Sequence, residues 1–199
     1  MLEEAVSQSI TQWIALISGI VYVVLAARER SLCWLFGIVS CICIAWDDFF
    51  SFQLYADGVL QLVYVGLGIV GLYKWRYDSG GHAKSLIAEH PVRRHLIVVA
   101  SSIAISAPLS YLLLTYTDAA FGFIDVLTTI LSLYATWLLI NKILSNWLYW
   151  IAIDAVYVYL FYRTGGTLVA ILYGVYFVVA IYGYKEWSKK LVRQDRSAS

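Results

Sequence analysis

Charged side chains are scarce in this chain. Of its 199 residues, 14% are Asp, Glu, Lys or Arg, against 61% hydrophobic and 16% aromatic. Soluble domains carry roughly 25% charged and roughly 45–50% apolar residues, and a chain of this size cannot hide such an excess in its own core. The composition excludes an ordinary water-soluble domain and makes a lipid bilayer the expected solvent. A formal net charge of +1 gives no footing to a bulk polyanion, so nucleic acid is not a partner. Cysteine is sparse too: Cys33, Cys41 and Cys43 share one apolar run. The two that are one residue apart point to different helix faces, so neither a disulfide nor a metal site is expected. They read as small apolar packing residues. Histidine is limited to His82, His90 and His95, in or beside the polar stretch 76–94, where solvation is expected. No His or Cys pair has metal-ligand spacing inside an apolar run, so an integral-membrane enzyme finds no catalytic constellation and no cofactor is expected.

What is present is a series of long apolar runs. Seven segments, at about 10–27, 31–50, 53–74, 95–116, 122–141, 145–162 and 167–187, have the length of a membrane span. They are too long and too evenly apolar for the alternating strands of a barrel, so helices are expected. The opening "MLEEAVSQS" lacks the basic region of a signal peptide, and the first run is expected to be retained as a span. Placing the N-terminus outside and the C-terminus inside puts 13 of the 14 basic residues on the cytoplasmic face, leaving only Arg163 opposite. Glu3, Glu4, Asp47, Asp48 and Asp118 then fall on the outer face. The expected fold is an all-α integral membrane protein, one domain over 1–199, N-out and C-in, with a basic cytoplasmic tail at 188–199.

Two stretches resemble each other. "RSLCWLFGIVSCICIAWDDFFSFQLYADGVLQLVYVGLGIVGLYKW" and "KILSNWLYWIAIDAVYVYLFYRTGGTLVAILYGVYFVVAIYGYKEW" each open on a basic residue and a tryptophan, Trp34 and Trp147. Each ends in Gly-x-x-x-Trp, from Gly71 to Trp75 and from Gly183 to Trp187. With one preceding helix each, they define parallel three-helix repeats over 10–74 and 122–187, joined by a linking helix over 95–116 in a 3+1+3 plan. Transporters built this way hold their solute between the repeats, near the bilayer midplane.

Polar and aromatic residues inside the spans fall on narrow faces. In the sixth run Trp147, Trp150, Asp154, Tyr157 and Phe161 occupy an arc of about 80° on a helix turning 100° per residue. The third run collects Asp57, Gln61, Tyr64, Gly68, Gly71 and Trp75 on one face, and the fifth collects Asp125, Thr129, Ser132 and Thr136. The seventh aligns Tyr173, Tyr176, Ala180, Gly183 and Trp187. Turned together, these faces would line a polar, aromatic cavity. Asp57 and Asp125 lie near the outer ends of their runs, within reach of water. Asp154 lies mid-run, where a carboxylate costs roughly 2.5–3.5 kcal/mol to insert, so an inward functional role is expected. Trp75 and Trp187 sit at helix ends, where tryptophan commonly anchors at the membrane interface. Indole faces beside a carboxylate suit a flat heteroaromatic cation, at roughly 0.5–2 kcal/mol per cation–π contact.

The segments "FGIVS", "QLYADGVLQ", "NWLYW" and the terminal Gly-x-x-x-Trp, in this order and spacing from Trp13 to Trp187, resemble the PnuC family of vitamin transporters. The resemblance implies a seven-helix core, assembly as a homotrimer and residence in the bacterial inner membrane. It implies facilitated diffusion of a small cationic heteroaromatic vitamin, made unidirectional by a cytosolic kinase that phosphorylates it. The family's W-x-x-W pair corresponds to Trp147 and Trp150, its preceding asparagine to Asn146 and its third-span glutamine to Gln61. The chain departs from the nicotinamide riboside pattern at Asp154, where that pattern has asparagine, and at residues 68–72, where "GIVGL" replaces "NIYGW". On these departures the thiamine-type (PnuT) subgroup is expected ahead of nicotinamide riboside. The expected substrate residues are Asp57, Gln61, Tyr64, Asp125, Thr129, Ser132, Asn146, Trp147, Trp150, Asp154, Tyr157, Tyr173 and Tyr176.

Overall fold

A computed structural model describes residues 9–77, 86–116 and 122–198. Glu3, Glu4, His82, Lys84 and Asp118 lie outside them. Seven helices follow one another among the described residues: α1 (Ile10–Ala27), α2 (Cys33–Asp47), α3 (Tyr55–Tyr77), α4 (Val92–Tyr116), α5 (Gly122–Ile140), α6 (Asn146–Thr164) and α7 (Thr167–Ala198). α1 starts on a capping box, in which Gln12 N–H donates to Ser9 Oγ (3.2 Å) and Ser9 N–H donates to Gln12 Oε1 (2.6 Å). α2 widens into a π turn at Asp48–Phe52 and stops at Gln53, whose left-handed φ of 56° breaks the helical path. Asp47 and Asp48, expected on the outer face, are buried at this helix end. The Thr11 hydroxyl donates to the Asp47 carboxylate at 2.7 Å, tying α1 to α2. Six of the seven helices are long and apolar enough to cross a membrane. α6 falls short because Asn146, Asp154, Arg163 and its tyrosines lower its mean hydropathy, and it packs between α5 and α7.

The two repeats are visible as matched contacts. In the first, Gly71 of α3 lets the Trp34 ring of α2 lie against its backbone, and Trp34 meets Trp75 edge-on (5.5 Å, 89°). In the second, Gly183 of α7 takes the Trp147 ring of α6, and Trp147 meets Trp187 edge-on (5.5 Å, 87°). A Cβ at either glycine would strike the indole, so only glycine permits this approach. Trp75 and Trp187 are not the interface anchors expected from their position. They are 2% and 0% exposed, because each third helix carries its tryptophan under the first helix of the other repeat.

Alternating helix direction gathers the C-terminal ends of α1, α3, α5 and α7 with the N-terminal ends of α2, α4 and α6. This basic end carries Arg28, Arg30, Lys74, Arg76, Arg93, Arg94, Lys142 and Lys185. Here Ala88 N–H donates to the Lys142 carbonyl (3.1 Å) and Leu144 N–H to the Ala88 carbonyl (2.8 Å), pinning the chain before α4 to the α5–α6 turn. His95 is not the solvated loop residue expected. It lies in the first turn of α4, half-buried, with Nδ1 3.1 Å from the Tyr149 hydroxyl and Nε2 3.2 Å from Ser145 Oγ. His90 is partly covered as well, and burial followed by the Arg94 guanidinium holds its imidazole below the ordinary range.

Candidate functional site

A cavity of about 530 Å³ lies between the repeats. The helical spacing of the polar residues turns one face of each contributing helix into it. α3 supplies Asp57, Gln61 and Tyr64; α5 supplies Asp125, Thr129 and Ser132; α7 supplies Tyr173 and Tyr176. α6 supplies Trp147, Trp150, Asp154 and Tyr157. Of the thirteen residues expected at the site, Asn146 alone is left out of the lining. It is the first residue of α6, fully buried below the floor, and its Nδ2 donates to the Ile143 carbonyl at 2.7 Å.

The wall is wider than the sequence reading allowed. α1 contributes Gly19 and Tyr22, and α2 contributes Trp34, Ser40 and Cys41. Cys41 therefore faces the cavity, whereas Cys33 is the buried packing residue expected of it. The repeat held the signal for this second wall: Trp34 and Cys41 each stand 113 positions before Trp147 and Asp154.

Aromatic side chains form a stack beside the carboxylate. The Tyr173 ring lies 4.7 Å from Tyr157 and 5.6 Å from Phe161, nearly parallel to both, while Tyr176 meets it edge-on at 6.0 Å. Two hydroxyl pairs hold the rings in place, Tyr157 with Thr128 Oγ1 (2.8 Å) and Tyr64 with Ser132 Oγ (2.5 Å). Asp154 is 3% exposed and accepts no hydrogen bond from a described residue. A buried carboxylate without a partner is costly, which makes an incoming cation or donor the natural complement. Among the described residues, three carboxylates, Asp57, Asp125 and Asp154, line the cavity, with no lysine or arginine.

The cavity is closed at the basic end and open at the other. Ala26, Trp34, Leu139, Trp147 and Ala180 bound it at the basic end and are all buried. Asp57 is exposed and Asp125 partly so at the far end.

Seven helices in two repeats about a cavity place the molecule in the class of multi-pass membrane transporters. Residues 9–189 match the family described as "Nicotinamide mononucleotide transporter", and the chain belongs to that family, the PnuC family of the resemblance above. The nicotinamide riboside transporter PnuC of Neisseria mucosa is 28% identical, over 92% of this chain and 73% of that protein. Its namesake in Escherichia coli is 24% identical, over 86% of this chain and 82% of that protein. The crystal structure of a vitamin B3 transporter PnuC superposes with a TM-score of 0.72 at 27% identity, covering 92% of this chain and 82% of that one. These relatives are named for nicotinamide riboside or vitamin B3, so the preference for a thiamine-type subgroup finds no support. The departures at Asp154 and at 68–72 lie inside a chain that matches the family throughout.

Proposed function

We propose that this protein carries nicotinamide riboside across the bacterial inner membrane by facilitated diffusion. One observation supports the reading above others: Asp154, a buried carboxylate that accepts no hydrogen bond from a described residue, faces a cavity walled by stacked aromatic rings. The pyridinium of nicotinamide riboside is flat and cationic, and it gains from both features. The relatives' names favour this vitamin over thiamine, whose thiazolium has the same charge. The mononucleotide in the family's description fits less well. Its phosphate would enter a lining that has, among the described residues, three carboxylates and no basic side chain, and like charges in contact are strongly disfavoured. Exclusion of the phosphorylated form would also let a cytosolic kinase trap the product. In this reading the basic end is cytoplasmic, in line with the placement of Lys and Arg, and the working unit is a homotrimer.

Calorimetry on the purified protein with nicotinamide riboside, thiamine and nicotinamide mononucleotide tests the assignment. The riboside is expected to bind and the mononucleotide to fail. Tighter binding of thiamine would return the assignment to the subgroup set aside above. Liposome uptake that ignores proton and sodium gradients is expected; accumulation driven by a proton gradient would overturn facilitated diffusion.

A further inference from the structure

The basic end of the cavity is shut by contacts that run between the repeats. Trp75 of α3 donates its indole N–H to the carbonyl of Ile140, the last residue of α5, at 3.1 Å. Trp187 of α7 donates to the carbonyl of Ala27, the last residue of α1, also at 3.1 Å. Each bond joins the third helix of one repeat to the first helix of the other. Two positions past those carbonyls stand Glu29 and Lys142, again 113 positions apart. Both take a left-handed backbone, with φ of 54° and 53°, a conformation uncommon outside glycine. Its occurrence at both matched positions marks these turns as held in place by what they touch. Their side chains meet each other: Lys142 Nζ is 3.9 Å from the Glu29 carboxylate, which also receives Lys190 at 2.6 Å. Lys142 lies over the Trp75 ring, 5.1 Å from its centroid.

Trp34 and Trp147, the matched tryptophans of α2 and α6, form the cavity floor above these contacts, and both are buried. Within each repeat, the Trp34–Trp75 and Trp147–Trp187 contacts would travel with a rigid repeat. A rocking motion of one repeat against the other must therefore break the inter-repeat contacts.

We infer that the Glu29–Lys142 pair and the reciprocal Trp75–Ile140 and Trp187–Ala27 hydrogen bonds are the latch of a gate at the basic end, which must part before solute leaves there. The inference rests on the protein's being a transporter, not on which vitamin it carries.

Cys41 supplies the test, because it lines the cavity above the latch. With Cys33→Ala and Cys43→Ala as background, a membrane-impermeant thiol reagent is applied to sealed vesicles from the face bearing the basic end. Glu29→Gln and Lys142→Met, each made separately, are expected to speed Cys41 modification from that face by about tenfold, the mark of a shifted open population. Modification from the opposite face is expected to slow or stay level. In the E29C/K142C protein on the same background, a short bifunctional thiol reagent is expected to abolish Cys41 labelling from the basic end. Unchanged labelling in both single variants, each eluting as folded protein, overturns the latch. So does labelling that persists after the two turns are cross-linked. The readout needs no solute, so failure of nicotinamide riboside to bind would remove the substrate assignment and leave this result standing.

Discussion

Trp147 and Trp187 meet edge-on with ring centroids 5.5 Å apart, and Gly183 provides the backbone floor on which the Trp147 ring rests. Replacing Gly183 with alanine puts a methyl group into the indole. Such overpacking costs roughly 1–3 kcal/mol. The melting temperature of the detergent-purified protein should fall, and Gly71→Ala should fall with it, since Gly71 serves Trp34 in the same way. A melting point unchanged in both would show that the helices can shift at no cost.

Asp154→Asn keeps the shape of the side chain and removes its charge. Hydrogen bonds to charged groups contribute roughly 1.5–3 kcal/mol, so the affinity for a cationic nicotinamide riboside should drop by about ten- to a hundredfold. The reduced, uncharged dihydro form should bind wild type and variant alike. Equal losses for both forms in calorimetry would mean that the carboxylate acts through shape or folding and not as a counter-ion.

Trp150 and Trp147 should separate affinity from stability. Trp150 lines the cavity and is partly exposed, so Trp150→Ala should lose roughly 1–2 kcal/mol of binding through missing stacking. Trp147 is buried in the tryptophan cluster, and Trp147→Ala should instead lose roughly 3–5 kcal/mol of stability. Thermal melts and titrations on both variants check the division.

Asn146 should behave as a structural residue. Its Nδ2 caps the Ile143 carbonyl below the cavity floor, out of reach of solute. Asn146→Ala should lower the melting temperature while leaving the affinity of the remaining folded protein intact. A selective loss of affinity would restore it to the binding site.

Helix positions are legible in this sequence because a run of about twenty apolar residues in lipid has few alternatives to a helix. The α6 stripe is legible for a related reason: polar groups among apolar ones stand out, and their 3–4 spacing sets them on one face. Tyr22, Ser40 and Cys41 give no such contrast. Their runs carry no isolated mid-span charge, and only the 113-residue register links Cys41 to Asp154. The burial of Trp75 and Trp187 is a tertiary fact. A tryptophan at a helix end looks the same in sequence whether it meets lipid headgroups or the carbonyl of a distant helix. His95 was hidden in the same manner, since Ser145 and Tyr149, which its ring nitrogens meet, come from a turn and helix of the second repeat, far along the chain.

The reciprocal indole bonds carry a consequence for ancestry. A lone three-helix unit would leave its first-helix carbonyl without a donor and its third-helix indole without an acceptor. Two copies side by side supply both. An odd number of crossings, however, returns the chain on the far side of the bilayer. A second copy fused directly would enter inverted. α4 is the extra crossing that lets both copies face the same way, so its first duty is to correct direction. A unit spanning residues 9–77, expressed by itself, is therefore a plausible ancestor only as a pair of half-shells, each completing its twin.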